Sequence, residues 1–226
     1  MSTAALALRT YVRYLVPLTL LSALVFAPVL WFVLRLPVPS DAAFAKQLLR
    51  VVWVLAASAW IAQYLLVGAV APAVRAIASG EPLSQVRSLG RGFLGLARML
   101  LPCLVAIVAI VIGSMALVLP GLALLALLAL TGASTERGLP APLLDSIAVA
   151  RTNLRSVAIT VVAIIVVDLA IVGVAYLVVA EPLPKKPAPA QLAAFRELAQ
   201  IVTISLAAAS PIAASVLAAI RVRARP

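Results

Sequence analysis

The chain has 226 residues, of which 65% are hydrophobic and only 11% are charged. A soluble domain carries roughly 25% charged residues, so this composition excludes a soluble enzyme, a disordered protein and a disulfide scaffold. The sequence has no histidine and one cysteine, Cys103, which excludes imidazole catalysis, histidine metal sites and an intrachain disulfide. The formal net charge is +11, but the basic residues flank apolar runs, which is typical of a membrane topology signal and not of nucleic-acid binding.

The apolar runs predict an all-α, polytopic integral membrane protein with one transmembrane domain over residues 1–226. A spanning helix needs about 20 apolar residues. Six candidate spans lie at residues 14–36, 48–73, 96–119, 121–134, 156–180 and 191–220. Residues 1–45 have some features of a signal peptide, but the apolar run exceeds the roughly 7–15 residues of a signal. We therefore expect the first span to be retained.

The third and fourth spans share one apolar stretch that is broken only at Pro120 and Gly121. We predict a tight turn at these two residues, because the whole stretch is close to twice the length that one crossing needs. The fourth span is short, so two readings stay open. It either crosses the membrane fully or forms a re-entrant helix.

Positive charge predicts the orientation. Six spans place both termini on one side, and the N-terminus, the C-terminal tail and two connecting segments hold the larger set of basic residues: Arg9, Arg13, Arg75, Arg87, Arg91, Arg98, Arg137, Arg151, Arg155, Arg221, Arg223 and Arg225. The positive-inside rule puts this set in the cytoplasm. Heavy use of Ala and Arg indicates a bacterial protein, so we expect the bacterial cytoplasmic (inner) membrane, with both termini cytoplasmic.

Two segments on the predicted cytoplasmic side are amphipathic, at residues 83–98 and 141–155. We expect two in-plane helices there, with apolar faces in the headgroup zone. Each segment follows an acidic residue and leads into a span, which suggests an approximate internal repeat. The exposed basic residues are Arg87, Arg91 and Arg98 in the first segment, and Arg151 and Arg155 in the second. These arginines either bind anionic lipid or a protein partner, or only set the topology.

Apart from Glu197 near the outer end of the long sixth span, Asp168 is the one acidic residue inside a predicted span. An intramembrane carboxylate is costly unless it is paired or protonated, and is a functional candidate for that reason. Gln63 lies at similar depth and is the predicted hydrogen-bond partner, with Thr160, Thr203 and Ser205 as further candidates. Asp168 either couples protons or cations to transport, or is a protonated carboxyl that ties two helices together.

Small residues in the sixth span predict a close helix–helix contact, either within the chain or between two copies. They are Ser210, Pro211, Ala214 and Ser215. Asp145 and Glu136 are interpreted as surface carboxylates at the cytoplasmic face, with nothing in the sequence that orients them for acid–base chemistry.

One succession of short motifs resembles a known group of proteins. It comprises Gly80 to Arg91, then Leu119-Pro120-Gly121 before an apolar run, then Glu136 and Gly138, then Ser146 with Arg151 and Asn153. This stretch, about residues 76–165, is similar to bacterial multi-spanning membrane proteins of the UPF0259 and DUF975 groups and to the membrane domain of some glycerophosphodiester phosphodiesterases. The resemblance implies six helices with surface helices on the cytoplasmic side, and it implies no activity.

The sequence lacks a P-loop, a G-x-S-x-G motif, an H-E-x-x-H motif and a strand-linked dinucleotide fingerprint. We therefore expect a non-enzymatic protein without cofactor or metal. It would be an accessory or scaffold subunit that contacts anionic lipid headgroups, a membrane-protein partner or a second copy of itself. The alternative is a small transporter or permease component in which Asp168 is the proton- or cation-coupling residue.

Overall fold

The computed structural model describes residues 2–35, 44–81, 83–116, 118–136, 138, 140–179 and 188–224. In these ranges all regular structure is α-helical. The helices are α1 (Thr3–Arg13), α2 (Leu15–Leu34), α3 (Phe44–Ala78), α4 (Gln85–Ala116), α5 (Val118–Leu128), α6 (Thr131–Glu136), α7 (Pro142–Thr152), α8 (Leu154–Val179) and α9 (Ala188–Arg223).

Five helices contain a segment long and apolar enough to cross a membrane. These segments are Leu15–Leu34, Trp60–Ala78, Gln85–Gly113, Leu154–Ala175 and Ala194–Arg223. A sixth apolar segment, Pro120–Thr135, is shorter and runs through α5 and α6. The predicted all-α class is confirmed, and five apolar helices are compatible with the predicted membrane protein.

Helix α3 lies at the centre of the bundle. About 72% of its apolar window is buried, against 11% for α8, and α3 packs against α1, α2, α4, α6 and α9. Helix α8 lies at the edge and packs mainly on α9. Its outer face carries exposed Ile159, Val162, Val166 and Leu169, an apolar surface of the kind that a membrane or another apolar helix covers.

Glycines allow α3, α4 and α6 to meet backbone against backbone. A Cβ atom added at Gly95 of α4 would lie 2.7 Å from the Gly68 carbonyl oxygen of α3. One added at Gly132 of α6 would lie 2.6 Å from the Gly68 nitrogen. Gly92 makes a similar approach, since its added Cβ would lie 2.9 Å from the Ala69 carbonyl oxygen. Small residues are the usual means of such close approach between membrane helices.

These glycines correct the prediction of a separate in-plane helix over residues 83–98. Residues 85–98 are the first turns of α4, which continues unbroken to Ala116. The amphipathic pattern predicted a separate surface helix, in which Gly92 and Gly95 would be unfavourable. In the structure these two glycines allow α4 to pack closely along α3.

The second predicted in-plane segment does form a separate short helix, α7. Helix α7 ends at Thr152 and α8 begins at Leu154. The side chains of Thr152 and Asn153 both donate to the Val149 carbonyl oxygen, at 2.9 and 3.1 Å, so they cap the last turn. The two segments of the predicted internal repeat therefore differ in structure, because α4 is continuous where α7 and α8 are two helices.

The predicted turn at Pro120 and Gly121 is also wrong in position. Helix α4 ends at Ala116 and α5 already begins at Val118, so both residues lie in the first turns of α5. Proline is tolerated there because the first amides of a helix need no intrahelical acceptor. Gly121 lies against α4, since a Cβ added at Gly113 would be 3.6 Å from its Cα.

The apolar segment of the predicted fourth span is broken between α5 and α6. The end of a helix leaves its last four carbonyls without helical donors. Three of these carbonyls accept hydrogen bonds from side-chain hydroxyl groups: Leu125 from Tyr64 at 2.9 Å, Leu127 from Ser146 at 2.8 Å, and Leu128 from Thr131 at 2.7 Å. The fourth, Ala126, accepts the Ala129 amide at 3.4 Å. A helix can be interrupted in an apolar interior when its freed backbone groups find such partners.

Helix α1 is an element that the sequence analysis did not predict. It packs on α9 and buries Leu6, Ala7 and Thr10. Leu8 and Val12 on its outer side are 64% and 68% exposed. Helix α1 therefore has one apolar face in the bundle and a second apolar stripe outside it.

Candidate functional site

The predicted pairing of Gln63 with Asp168 is present in the structure. The Gln63 side-chain amide, on α3, donates to both carboxylate oxygens of Asp168, on α8, at 3.1 and 2.9 Å. Both side chains are half-buried. The bond ties the peripheral helix α8 to the central helix α3. The amide supplies hydrogen-bond donors to the carboxylate but no opposite charge.

A partly open cavity of about 30 Å³ lies beside Gln63. Gln63, Trp60 and Tyr64 of α3 contribute to its wall, together with apolar residues of α5, α8 and α9. A cavity of this size has room for one or two water molecules when polar partners are present.

The further polar candidates near Asp168 do not join it. The hydroxyl groups of Thr160 and Thr203 donate to the carbonyl oxygens four residues earlier, at 2.8 and 2.7 Å. Ser205 lines an apolar groove between α8 and α9. The Thr160 and Thr203 hydroxyls are therefore satisfied within their own helices, and the hydrogen bonds to Asp168 come from Gln63.

A second buried carboxylate contact lies near the C-terminal end of α9. The Arg221 guanidinium donates to both oxygens of Asp145 on α7, with Nε–Oδ2 and Nη2–Oδ1 distances of 2.9 Å. Its Nε also lies 3.2 Å from the Ser134 hydroxyl of α6. The Arg221 side chain is 2% exposed and that of Asp145 is 23% exposed. This bidentate pair connects α9, α7 and α6.

The structure therefore corrects the interpretation of Asp145 as an unoriented surface carboxylate, and of Arg221 as only a topology charge. Each residue lies in a segment that flanks a predicted span, where charges usually set the topology. The two residues are also 76 positions apart, so local sequence does not indicate that they form a pair. The available signal was helical register. Arg221 follows Leu217 and Ala214 by four and seven residues, which places it on the buried face of α9.

A polar pocket of about 460 Å³ lies where α3 ends and α4 begins. The turn between them contains Gly80, whose φ of 78° suits glycine. The Ser84 hydroxyl then accepts the Arg87 amide at 3.3 Å and caps α4. The polar residues that line the pocket are Arg75, Ser79, Glu81, Ser84, Arg87 and Arg91.

The predicted lipid- or partner-binding arginines thus fall into two groups. Arg87 and Arg91 share this pocket with Arg75. Arg98 is exposed on the same face of α4, beyond the pocket, since it follows Arg87 by 11 residues. The second group, Arg151 and Arg155, is exposed at the junction of α7 and α8.

The predicted packing residues of the sixth span are buried within the chain. Ser210, Ala214 and Ser215 are at most 2% exposed, and Pro211 is also buried. Ser215 donates to the Pro211 carbonyl at 2.7 Å, so its hydroxyl is satisfied within α9. These side chains belong to the interior of one copy.

The chain matches no protein-family model, no curated protein and no solved structure. The resemblance to the UPF0259 and DUF975 groups stays a prediction. Function therefore has to be inferred from the two carboxylate contacts and the arginine-lined pocket.

Proposed function

We propose that this protein is a non-enzymatic accessory or scaffold subunit of the bacterial cytoplasmic membrane. It works through contacts with anionic lipid headgroups or with a membrane-protein partner. One observation carries the proposal. Apart from Arg35 and Arg196, the arginines whose side chains the structure describes belong to segments that meet at one end of the bundle, with Arg98 about two turns further along α4: Arg9, Arg13, Arg75, Arg87, Arg91, Arg98, Arg151, Arg155, Arg221 and Arg223.

Three contacts define that end. The Tyr14 hydroxyl donates to the Leu83 carbonyl at 3.1 Å, and the side-chain amide of Gln85 donates to the Arg13 carbonyl at 2.6 Å. Arg223 donates to the Thr3 hydroxyl at 3.3 Å. The junction of α1 and α2, the turn between α3 and α4, and the end of α9 therefore lie together. By the positive-inside rule this end faces the cytoplasm.

The same contacts support six crossings. Helix α4 leads away from the arginine-rich end, and Ser134 of α6 is back beside Arg221 near that end. Helices α5 and α6 together would then make the fourth crossing, with both termini cytoplasmic. A reporter fused after Arg225 should be cytoplasmic, and one fused near Lys185 should be outside the cell. The reverse result would contradict the proposed orientation.

The length of α4 supports a position of its first arginines at the membrane surface. Its 32 residues rise about 48 Å at 1.5 Å per residue, whereas the hydrocarbon core is about 30 Å thick. About 12 residues therefore extend beyond the core. At the arginine-rich end these are residues 85–96, which carry Arg87 and Arg91, and Arg98 lies two residues further on, at the boundary of the core. The three arginines share one face of α4, and basic residues in the headgroup layer attract anionic lipid.

Two short helices would complete this cytoplasmic surface. Helix α7 presents the exposed Leu144 close to Arg151. Helix α1 presents the exposed Leu8 and Val12 beside Arg9 and Arg13. An apolar stripe flanked by arginine suits the boundary between headgroups and acyl chains. We propose that α1 and α7, and not residues 83–98, are the in-plane helices.

Native mass spectrometry of the protein, released from nanodiscs that contain phosphatidylglycerol and phosphatidylcholine, tests the proposal. We expect retained phosphatidylglycerol in preference to phosphatidylcholine, or a stoichiometric partner when the protein is extracted from its native membrane. A monomer that retains neither would contradict the accessory function.

The Gln63–Asp168 contact favours a second candidate function, a small transporter with Asp168 as the coupling residue. Its test is proton flux in liposomes that contain a pH-sensitive dye. Asp168→Asn should abolish that flux while the protein remains folded. Flux that persists in Asp168→Asn, or that is absent from the wild type, would contradict this candidate.

A further inference from the structure

We infer that the pocket at the turn between α3 and α4 binds the phosphate group of an anionic lipid. This inference rests on the proposed function and assigns one defined site to it. The pocket is lined by guanidinium groups from two different helices, Arg75 from the last turn of α3 and Arg87 and Arg91 from the first turns of α4.

The charges on the pocket wall favour an anion. Three arginines face one acidic residue, Glu81, so the lining has an excess of positive charge. A guanidinium group binds phosphate oxygens through two parallel hydrogen bonds. Arg87 and Arg91 lie four residues apart on a helix, so they project from the same face and reach one phosphate group together.

The backbone adds to this attraction. Helix α4 begins at Gln85, so its N-terminal amides and the positive end of its dipole lie beside the pocket. Ser84 lines the pocket and also caps the helix. Ser79, in the turn after α3, provides a second hydroxyl group. Guanidinium groups, hydroxyl groups and the N-terminal amides of a helix are all hydrogen-bond donors, and together they suit the oxygens of a phosphate group.

The surroundings favour a lipid as the source of the phosphate. Beyond the pocket, α4 continues through the rest of its apolar segment, which ends at Gly113. Leu101 and Val105 are 71% and 47% exposed, and they share a helix face with Arg87 because they follow it by 14 and 18 residues. A headgroup held by Arg87 and Arg91 would have its acyl chains beside this apolar surface. The pocket volume of about 460 Å³ accommodates a phosphate with its glycerol.

The test compares two double variants of the full chain in the same mixed nanodiscs. Arg87→Gln/Arg91→Gln removes two pocket arginines, and Arg151→Gln/Arg155→Gln removes the same charge from positions outside the pocket at the same end. We expect the first variant to lower the occupancy of the most tightly retained phosphatidylglycerol about tenfold, and the second about threefold or less. Salt near 0.15 M screens exposed charges beyond about 8 Å, so it suppresses non-specific binding of anionic lipid to the surface.

Equal losses in the two variants would overturn the pocket and indicate delocalised surface charge, while leaving the proposed function in place. A wild type that retains no phosphatidylglycerol over phosphatidylcholine would defeat both the pocket and the lipid form of the proposed function. Millimolar inorganic phosphate separates the two sources of phosphate. Retained lipid that resists it supports the headgroup site, whereas phosphate binding without lipid preference would overturn the lipid assignment.

Discussion

Asp168 and Asp145 both lie against the interior of the bundle, but the first is bound by a neutral amide and the second by a charged guanidinium. The Gln63 amide holds Asp168 between α3 and α8. The Arg221 guanidinium holds Asp145 between α7 and α9. The first contact joins the peripheral helix to the centre, and the second joins short helices to the C-terminal end of α9.

The difference lies in what remains when one partner is lost. A carboxylate that loses an amide donor can take up a proton and remain neutral among apolar helices. The Arg221 guanidinium cannot give up its proton, and removal of one member of a buried ion pair usually costs far more stability than removal of a neutral hydrogen-bond donor. We therefore expect the Arg221–Asp145 contact to dominate stability, and the Gln63–Asp168 contact to be nearly dispensable for it.

Arg221→Met should have the largest effect, a loss of about 3–5 kcal/mol of unfolding free energy. The substitution leaves Asp145 without its cation and Ser134 without its donor. Denaturant unfolding in mixed micelles measures the loss. Arg223→Met is the matched control, because Arg223 is exposed two residues away. Equal losses in the two variants would show that the buried pair has no special weight.

The double variant Arg221→Met/Asp145→Leu should recover most of that loss. Both charges are then absent, and apolar side chains of similar length occupy the contact between α7 and α9. Replacement of a whole buried ion pair by apolar residues is often neutral or stabilising. A double variant as unstable as Arg221→Met in the same unfolding assay would show that the geometry of the ion pair, and not charge compensation, determines stability.

Gln63→Leu should cost about 1 kcal/mol, because it removes the donor to Asp168 and leaves the carboxyl to be satisfied by water or a proton. Thr160→Val provides the control on α8, since the Thr160 hydroxyl bonds only within its own helix at 2.8 Å. A loss above about 3 kcal/mol would indicate a charged Asp168 that depends on this amide.

Asp168→Asn should have the smallest effect, about 0.5 kcal/mol, because an Asn carbonyl still accepts from Gln63. Thermal unfolding in detergent is the measurement, with the wild type in the same preparation. This near-neutrality is also what makes the variant useful in the proton-flux assay. An unfolded Asp168→Asn protein would reverse the comparison between the two carboxylates.

The two contacts also differ in how far the sequence predicts them. Asp168 and Gln63 are isolated polar residues within apolar spans, and residue counting places them at the same depth. Their pairing follows from the cost of an unpaired polar group in an apolar environment. Asp145 and Arg221 lie near the ends of apolar segments, where charges are common, so nothing in local composition distinguishes them as partners.

The sequence by itself determined the helical class, the apolar segments and the set of arginines, because hydrophobicity and charge are properties of each local segment. Only the tertiary structure decided where those arginines stand. Gly92 and Gly95 join the first turns of α4 to α3, and hydroxyl groups from Tyr64 and Ser146 satisfy the broken end of α5. These outcomes depend on which helix faces meet, and a backbone contact between distant helices leaves no local pattern in the chain.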